Sequence, residues 1–119
     1  MNFKYDSMWQ ELPGQATKVC IAGVDGLMVN ATFHFKNDVG NAMAAKCGTF
    51  GLVWTLLADG LVKCSLRSNA PFDVEALALQ FGGGGHPLAA SFSLPASALP
   101  DLARGIIDPS SRIPAVFPA

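Results

Sequence analysis

Two short stretches of this chain hold the residue types best suited to chemistry. The first is Gly82-Gly83-Gly84-Gly85-His86, followed by Pro87-Leu88-Ala89-Ala90-Ser91-Phe92. Four consecutive glycines favour no helix or strand, and each costs backbone entropy on folding. Such a run marks a place where bare backbone must come close to something. Successive glycine amides can turn the same way and form a concave nest for an anion, and His86 stands at its lip. If Pro87 opens a helical turn, the amides and partial positive charge of that turn add to the cradle. A ligand with negative oxygens fits, phosphate first. The alternative is a flexible loop with a surface histidine.

The second stretch is Ser65-Leu66-Arg67-Ser68. On a strand, Ser65 and Arg67 share one face while Leu66 and Ser68 take the other. Arg67 is the only arginine before residue 104. Its planar guanidinium can grip a phosphate at two points; the alternative is a surface ion pair. Arg67 and the glycine run converge on one ligand if the strand end lies beside the loop.

The remaining polar residues exclude other chemistries. The nine carboxylates are scattered, and nearly all sit in turn, cap or surface positions. No Asp/His cluster has metal-ligand spacing, so no metal site to activate water is evident. The glycines are followed by no Gly-Lys-Ser/Thr, and there is no Gly-x-Ser-x-Gly elbow. Cys20, Cys47 and Cys64 form no Cys-x-x-Cys pair, and are read as buried free thiols of a reducing compartment. His34, between Phe33 and Phe35, reads as an exposed strand residue, and Trp54 as core. Asn30 fits either a polar cleft or a strand end.

The elements that position these residues follow from periodicity. Tyr5, Met8, Trp9 and Leu12 have helical spacing, ended by Pro13-Gly14. Strands are predicted over Lys18 to Gly23 and Leu27 to Phe33, with Asp25-Gly26 as the turn. Asn37 or Asp38 caps a helix whose inner face carries Val39, Ala42 and Met43, with Gly48 past its end. Phe50 to Leu57 and Leu61 to Leu66 form a hairpin around Asp59-Gly60. Asp73 caps a helix facing inward with Val74, Leu77, Ala78 and Phe81, and Gly82 takes its C-terminal glycine position. A short turn or helical piece follows His86, then a strand over Ser91 to Leu94. Ser97 caps a last helix with Leu99, Leu102, Ala103 and Ile106 inward and Pro100 in its first turn. The result is one α/β domain over residues 15–107, a mixed β-sheet of about five strands with helices packed on it. Residues 1–14 form an N-terminal helix and residues 108–119 a tail over the surface.

The chain has 119 residues, half of them apolar and 14% charged, so it can bury a core. No apolar run reaches the ~18–20 residues that span a bilayer. The N-terminus lacks the pattern of a signal peptide, and a cytoplasmic setting follows as the default. A net charge of −1 excludes nucleic-acid binding by bulk charge. Any such contact must be local, made by a few groups.

Ser65-Leu66-Arg67-Ser68, Asp73-Val74, Phe81-Gly82-Gly83-Gly84-Gly85-His86 and Ala89-Ala90 together resemble the DHHA1 domain. That is the C-terminal, substrate-binding domain of the DHH phosphoesterases. Val29-Asn30-Ala31, Asp38-Val39-Gly40-Asn41 and Val53-Trp54 are similar to bacterial members, and the resemblance runs from Lys18 to Pro95. The family includes nanoRNases and pAp phosphatases, single-strand DNA exonucleases and cyclic dinucleotide phosphodiesterases. The resemblance implies that Arg67 and His86 contact phosphate, joined by the amides of Gly83, Gly84 and Gly85, with Ser65 and Ser68 as weaker candidates. It also implies that two divalent metals, usually manganese, sit in a separate DHH domain. This chain has no Asp-His-His, and no metal or other cofactor is expected in it. The family pattern ends Ala-Ala-Gly-Phe. Ser91 stands at that glycine, where it is expected to strain or reshape the site if the position needs a positive φ or a close backbone approach. Pro87 removes one amide.

The resulting expectation is a binding module. It holds the phosphate end of a nucleotide or short single-stranded oligonucleotide and works with a DHH catalytic domain in cis or trans. It has no membrane partner and is not catalytic alone. The N-terminal helix then reads as an interdomain linker remnant. Two alternatives stay open: an interaction or homodimerisation domain using Tyr5 and Trp9, and a metal-independent phosphoesterase using His86.

Overall fold

The computed structural model describes residues 16–31, 36–69 and 71–108. The expected N-terminal helix with Tyr5 and Trp9, the strand position of His34, and the tail beyond Asp108 lie outside the described residues. The elements run β1 (Thr17–Ile21), β2 (Val24–Asn30), α1 (Lys36–Cys47), β3 (Phe50–Leu56), β4 (Leu61–Ser68), α2 (Val74–Leu79), β5 (Gly84–His86), β6 (Ala89–Pro95), α3 (Leu99–Ala103) and β7 (Ile106–Ile107). They build a mixed sheet of seven strands in the order β5-β6-β4-β3-β2-β1-β7. The α/β architecture is the expected one, with two more strands than the sequence announces.

Both extra strands lie at the sheet's edges. β7 interrupts the expected last helix. Gly105 ends that helix at a positive φ of 78°, and its carbonyl accepts the Cys20 amide at 2.7 Å. Ile106 and Ile107 are thereby drawn into parallel pairing with β1. β5 is made from the glycine run itself. Glycine has little strand propensity, so only pairing along β6 makes this segment extended.

Local signals hold at several points. Asp73 accepts the Glu75 amide at 2.9 Å and the Ala76 amide at 3.3 Å, capping α2. Val74, Leu77, Ala78 and Phe81 are all buried, and Phe81 stacks on Phe92 of β6 at 4.4 Å. Other signals are displaced. The turn between β1 and β2 falls on Ala22-Gly23, both at positive φ (50° and 87°), and Asp25-Gly26 lies within β2. Ser97 caps nothing; it sits in a 3-10 turn over Ala96–Ala98. Ile106 is exposed and Ile107 buried, because the strand that replaces the helix turns alternate residues to opposite faces.

The two faces of the sheet differ. One carries a continuous apolar layer, including Ile21, Met28, Phe50, Leu52, Val62, Leu66, Phe92 and Leu94, closed over by residues of α2 and α3. On the other face α1 lies over β2, β3 and β4, around a small cluster of Val29, Val39, Met43 and Val53. Its seating depends on two glycines. A Cβ at Gly51 would stand 2.2 Å from the Gly40 carbonyl oxygen, and one at Gly40 would stand 2.7 Å from the Arg67 side chain. No side chain fits at either position, so the helix backbone comes directly onto β3 and β4.

Candidate functional site

Strand pairing brings the two chemistry-bearing stretches together. Arg67 on β4 pairs with Ala89 on β6, and Ala89 pairs with His86 on β5. Directly paired residues point to the same side of a sheet, so Arg67, Ala89 and His86 form a row across the α1 face. The small Ala89 in the middle leaves room between the two ends. Adjacent strands lie about 4.8 Å apart, so two spacings separate His86 from Arg67. The neighbouring row is Ser65, Ser91 and Gly84. A Cβ at Gly84 would meet nothing within 4 Å, so the space beside Gly84 at the end of that row is open.

Arg67 is held in an unusual way. Its residue exposure is only 9%. Its Nε donates to Asn37 Oδ1 at 2.8 Å and its Nη1 to the Leu66 carbonyl at 2.7 Å. Both partners are neutral, and among the described residues no carboxylate pairs with it. Burial pushes the guanidinium pKa down, because it disfavours the charged form. A buried, fixed and unneutralised cation is a ready partner for an anion. Asn37, expected as a helix cap, lies instead inside the first turn of α1. Its side-chain oxygen orients Arg67. Gly40 makes the room, and no local sequence signal marks either residue for that role.

The glycine run works differently from a free nest. Gly82 turns at φ 80° just past α2. The Gly83 amide, expected to face phosphate, donates to the Ala78 carbonyl at 2.9 Å. It is spent on ending the helix. A Cβ at Gly83 would stand 2.1 Å from the Ser91 carbonyl oxygen, and one at Gly85 would stand 2.5 Å from that of Ala89. Both glycines are needed for close packing on β6. Gly84, Gly85 and His86 form the sheet's edge strand, and Pro87-Leu88 makes the turn to β6 where a helical piece was one expectation. His86 is exposed.

Ser65 stays with the site and Ser68 leaves it. Ser65 shares the face of Arg67; it is 1% exposed, and its Oγ is buried without a hydrogen-bond partner. Ser68 points to the apolar face. Its hydroxyl lies 2.7 Å from the Phe72 carbonyl and 2.9 Å from that of Asn69, which holds the chain between β4 and α2. Ser91 lies in the middle of β6 and is not at positive φ, so the strain that a positive φ would bring is absent. The thiols differ from expectation too: Cys64 is buried, Cys20 half-buried and Cys47 exposed. Among the described residues no three His, Cys, Asp or Glu side chains come together to hold a metal ion, and no helix is long and apolar enough to cross a membrane.

The DHHA1 domain model matches residues 25–108, and the chain belongs to that family, which is associated with the DHH phosphoesterases. Among solved structures, the pGpG-specific phosphodiesterase PggH from Vibrio cholerae is similar at a TM-score of 0.59 and 11% identity. That match covers 85% of this chain and 37% of that one. An uncharacterised protein from Helicobacter pylori G27 is 26% identical over 65% of this chain and 22% of its own, at a TM-score of 0.48. The chain thus spans well under half the length of these two relatives. No curated protein matches it.

Proposed function

We propose that this domain is the substrate-binding module of a DHH-type phosphoesterase, holding the phosphate end of a nucleotide or short single-stranded oligonucleotide. The observation that carries the reading is the row Arg67–Ala89–His86, with its buried guanidinium paired, among the described residues, to neutral oxygens. Arg67 binds the phosphate, and His86 closes on it from the edge strand. Of the Gly84 and Gly85 amides, the one that faces away from β6 remains a candidate for a further contact; that of Gly83 is occupied. Family membership supports the pairing of this site with a DHH catalytic domain, in cis or in trans. The described residues do not supply a metal site, so the divalent metals, manganese by family resemblance, would belong to that other domain.

The test is to titrate the purified chain with short 5′-phosphorylated oligonucleotides in the presence of manganese, scoring binding and product separately. Binding without turnover is expected. Arg67→Ala should weaken binding at least about tenfold, the loss of one or two charge-assisted hydrogen bonds, with His86→Ala weaker in the same direction and both variants folded. Turnover that survives a chelator would overturn the binding-module reading. Unchanged affinity in both variants would place the phosphate elsewhere.

A further inference from the structure

The row beside the phosphate row carries hydroxyls with no assigned work. Ser65 and Ser91 are directly paired across β4 and β6. Cβ atoms of such a pair lie about 5 Å apart, so one rotamer change brings the hydroxyls into contact. Ser65 Oγ is buried and unpartnered, which is costly unless a partner arrives. Ser91 is half-exposed, and on its other side Gly84 leaves open space. Ser91 therefore stands between a hydroxyl needing a partner and a vacant volume at the surface. The two rows are two residues apart along the strands, about 7 Å, on the scale of a single nucleotide.

We infer that Ser91, backed by Ser65, binds a sugar hydroxyl of the nucleotide whose phosphate Arg67 holds, so that the site prefers ribonucleotides to their deoxy counterparts. The chemistry of the pair carries this choice. A phosphate dianion only accepts hydrogen bonds, and Arg67 already serves it. A chain of two hydroxyls both donates and accepts, and the group that matches it is another hydroxyl. On this geometry Ser91 donates to Ser65 Oγ and accepts from the sugar hydroxyl, a donation that a phosphate dianion cannot make. Ser91 contacts the ligand, while Ser65 is a positioning residue that acts through it. A sugar hydroxyl is also the feature by which a protein separates RNA from DNA.

This inference rests on the phosphate reading above, and the experiment separates the two. Calorimetric titration compares adenosine 5′-monophosphate, its 2′,3′-dideoxy counterpart and inorganic phosphate on the wild-type chain and on Ser91→Ala, Ser65→Ala and the double variant. The wild type should bind the ribonucleotide about fivefold more tightly than the dideoxy form, the worth of roughly one net hydrogen bond. Ser91→Ala should bring that ratio close to one by weakening the ribonucleotide. Ser65→Ala should lower the ratio by less, and should lower it no further once Ser91 is alanine. A wild-type ratio of one, or an equal loss for both nucleotides in Ser91→Ala, would overturn the sugar assignment and leave the phosphate site standing. Nucleotide affinity untouched by Arg67→Ala, or no binding of any of the three ligands, would overturn the phosphate reading and this one with it.

Discussion

The two faces of this sheet are built on opposite rules, within the same strands. On β4, Val62, Cys64 and Leu66 point into an apolar layer and are fully buried. Between them, Lys63, Ser65 and Arg67 point the other way. The first face is packed over most of its length and owes its stability to area removed from water. Among the described residues the second carries a buried cation with no carboxylate partner and a buried hydroxyl with no hydrogen bond. Unsatisfied polar groups of this kind destabilise a fold, and they gather on one surface and in adjacent rows.

The comparison can be broken most directly by paired substitutions on one strand. Leu66→Ala should cost about 3 kcal/mol, transfer plus cavity, while Ser65→Ala next to it should stay within about 1 kcal/mol of wild type, since its hydroxyl makes no hydrogen bond. Urea denaturation measures both, and equal costs would erase the distinction. Next in size, Gly51→Val should destabilise by about 2–3 kcal/mol by pushing α1 off β3. It should also weaken phosphate-ligand binding, because Asn37 leaves Arg67. Arg67→Met sharpens the contrast: stability should hold within about 1 kcal/mol, as when a buried charge is replaced by an apolar side chain of similar length, while phosphate-ligand affinity collapses.

The thiols give a finer test. Burial pushes the Cys64 thiol from 9.0 up to about 12. The unfolded chain therefore loses that proton at lower pH than the folded one. Cys64 contributes no pH dependence below about pH 8, and stability should fall as pH rises from 9 toward 12, by at most about 1.4 kcal/mol per unit. Cys64→Val should flatten that slope. A thiol reagent at neutral pH should modify exposed Cys47 quickly and buried Cys64 only on unfolding. Smallest of all, Ala22→Gly at the φ of 50° should raise stability by about 0.5–1 kcal/mol, seen as a small rise in Tm.

Much of this was legible before the fold was known. Alternation on β4 separates Arg67 from Leu66, Asp73 marks the start of α2, and the apolar spacing of Val74, Leu77, Ala78 and Phe81 names the buried side of that helix. These are local facts, fixed by the geometry of one helix or one strand. The glycine run was legible as a place of close approach. What it approaches was not: Gly83 and Gly85 meet β6, and the Gly83 amide ends α2. Asn37, Gly40 and Gly51 were equally silent, because their roles exist only where α1 touches β3 and β4.

The amino-acid sequence alone therefore determined the Asp73 cap, the two faces of β4 and the residue types available for phosphate. The tertiary structure decided which of those residues meet. Register between β4, β6 and β5 is set by backbone hydrogen bonds that are the same for every residue type, and by packing between segments distant in the chain. That register placed Arg67, Ala89 and His86 in one row, left Ser68 on the wrong side, and set Ser91 opposite Ser65.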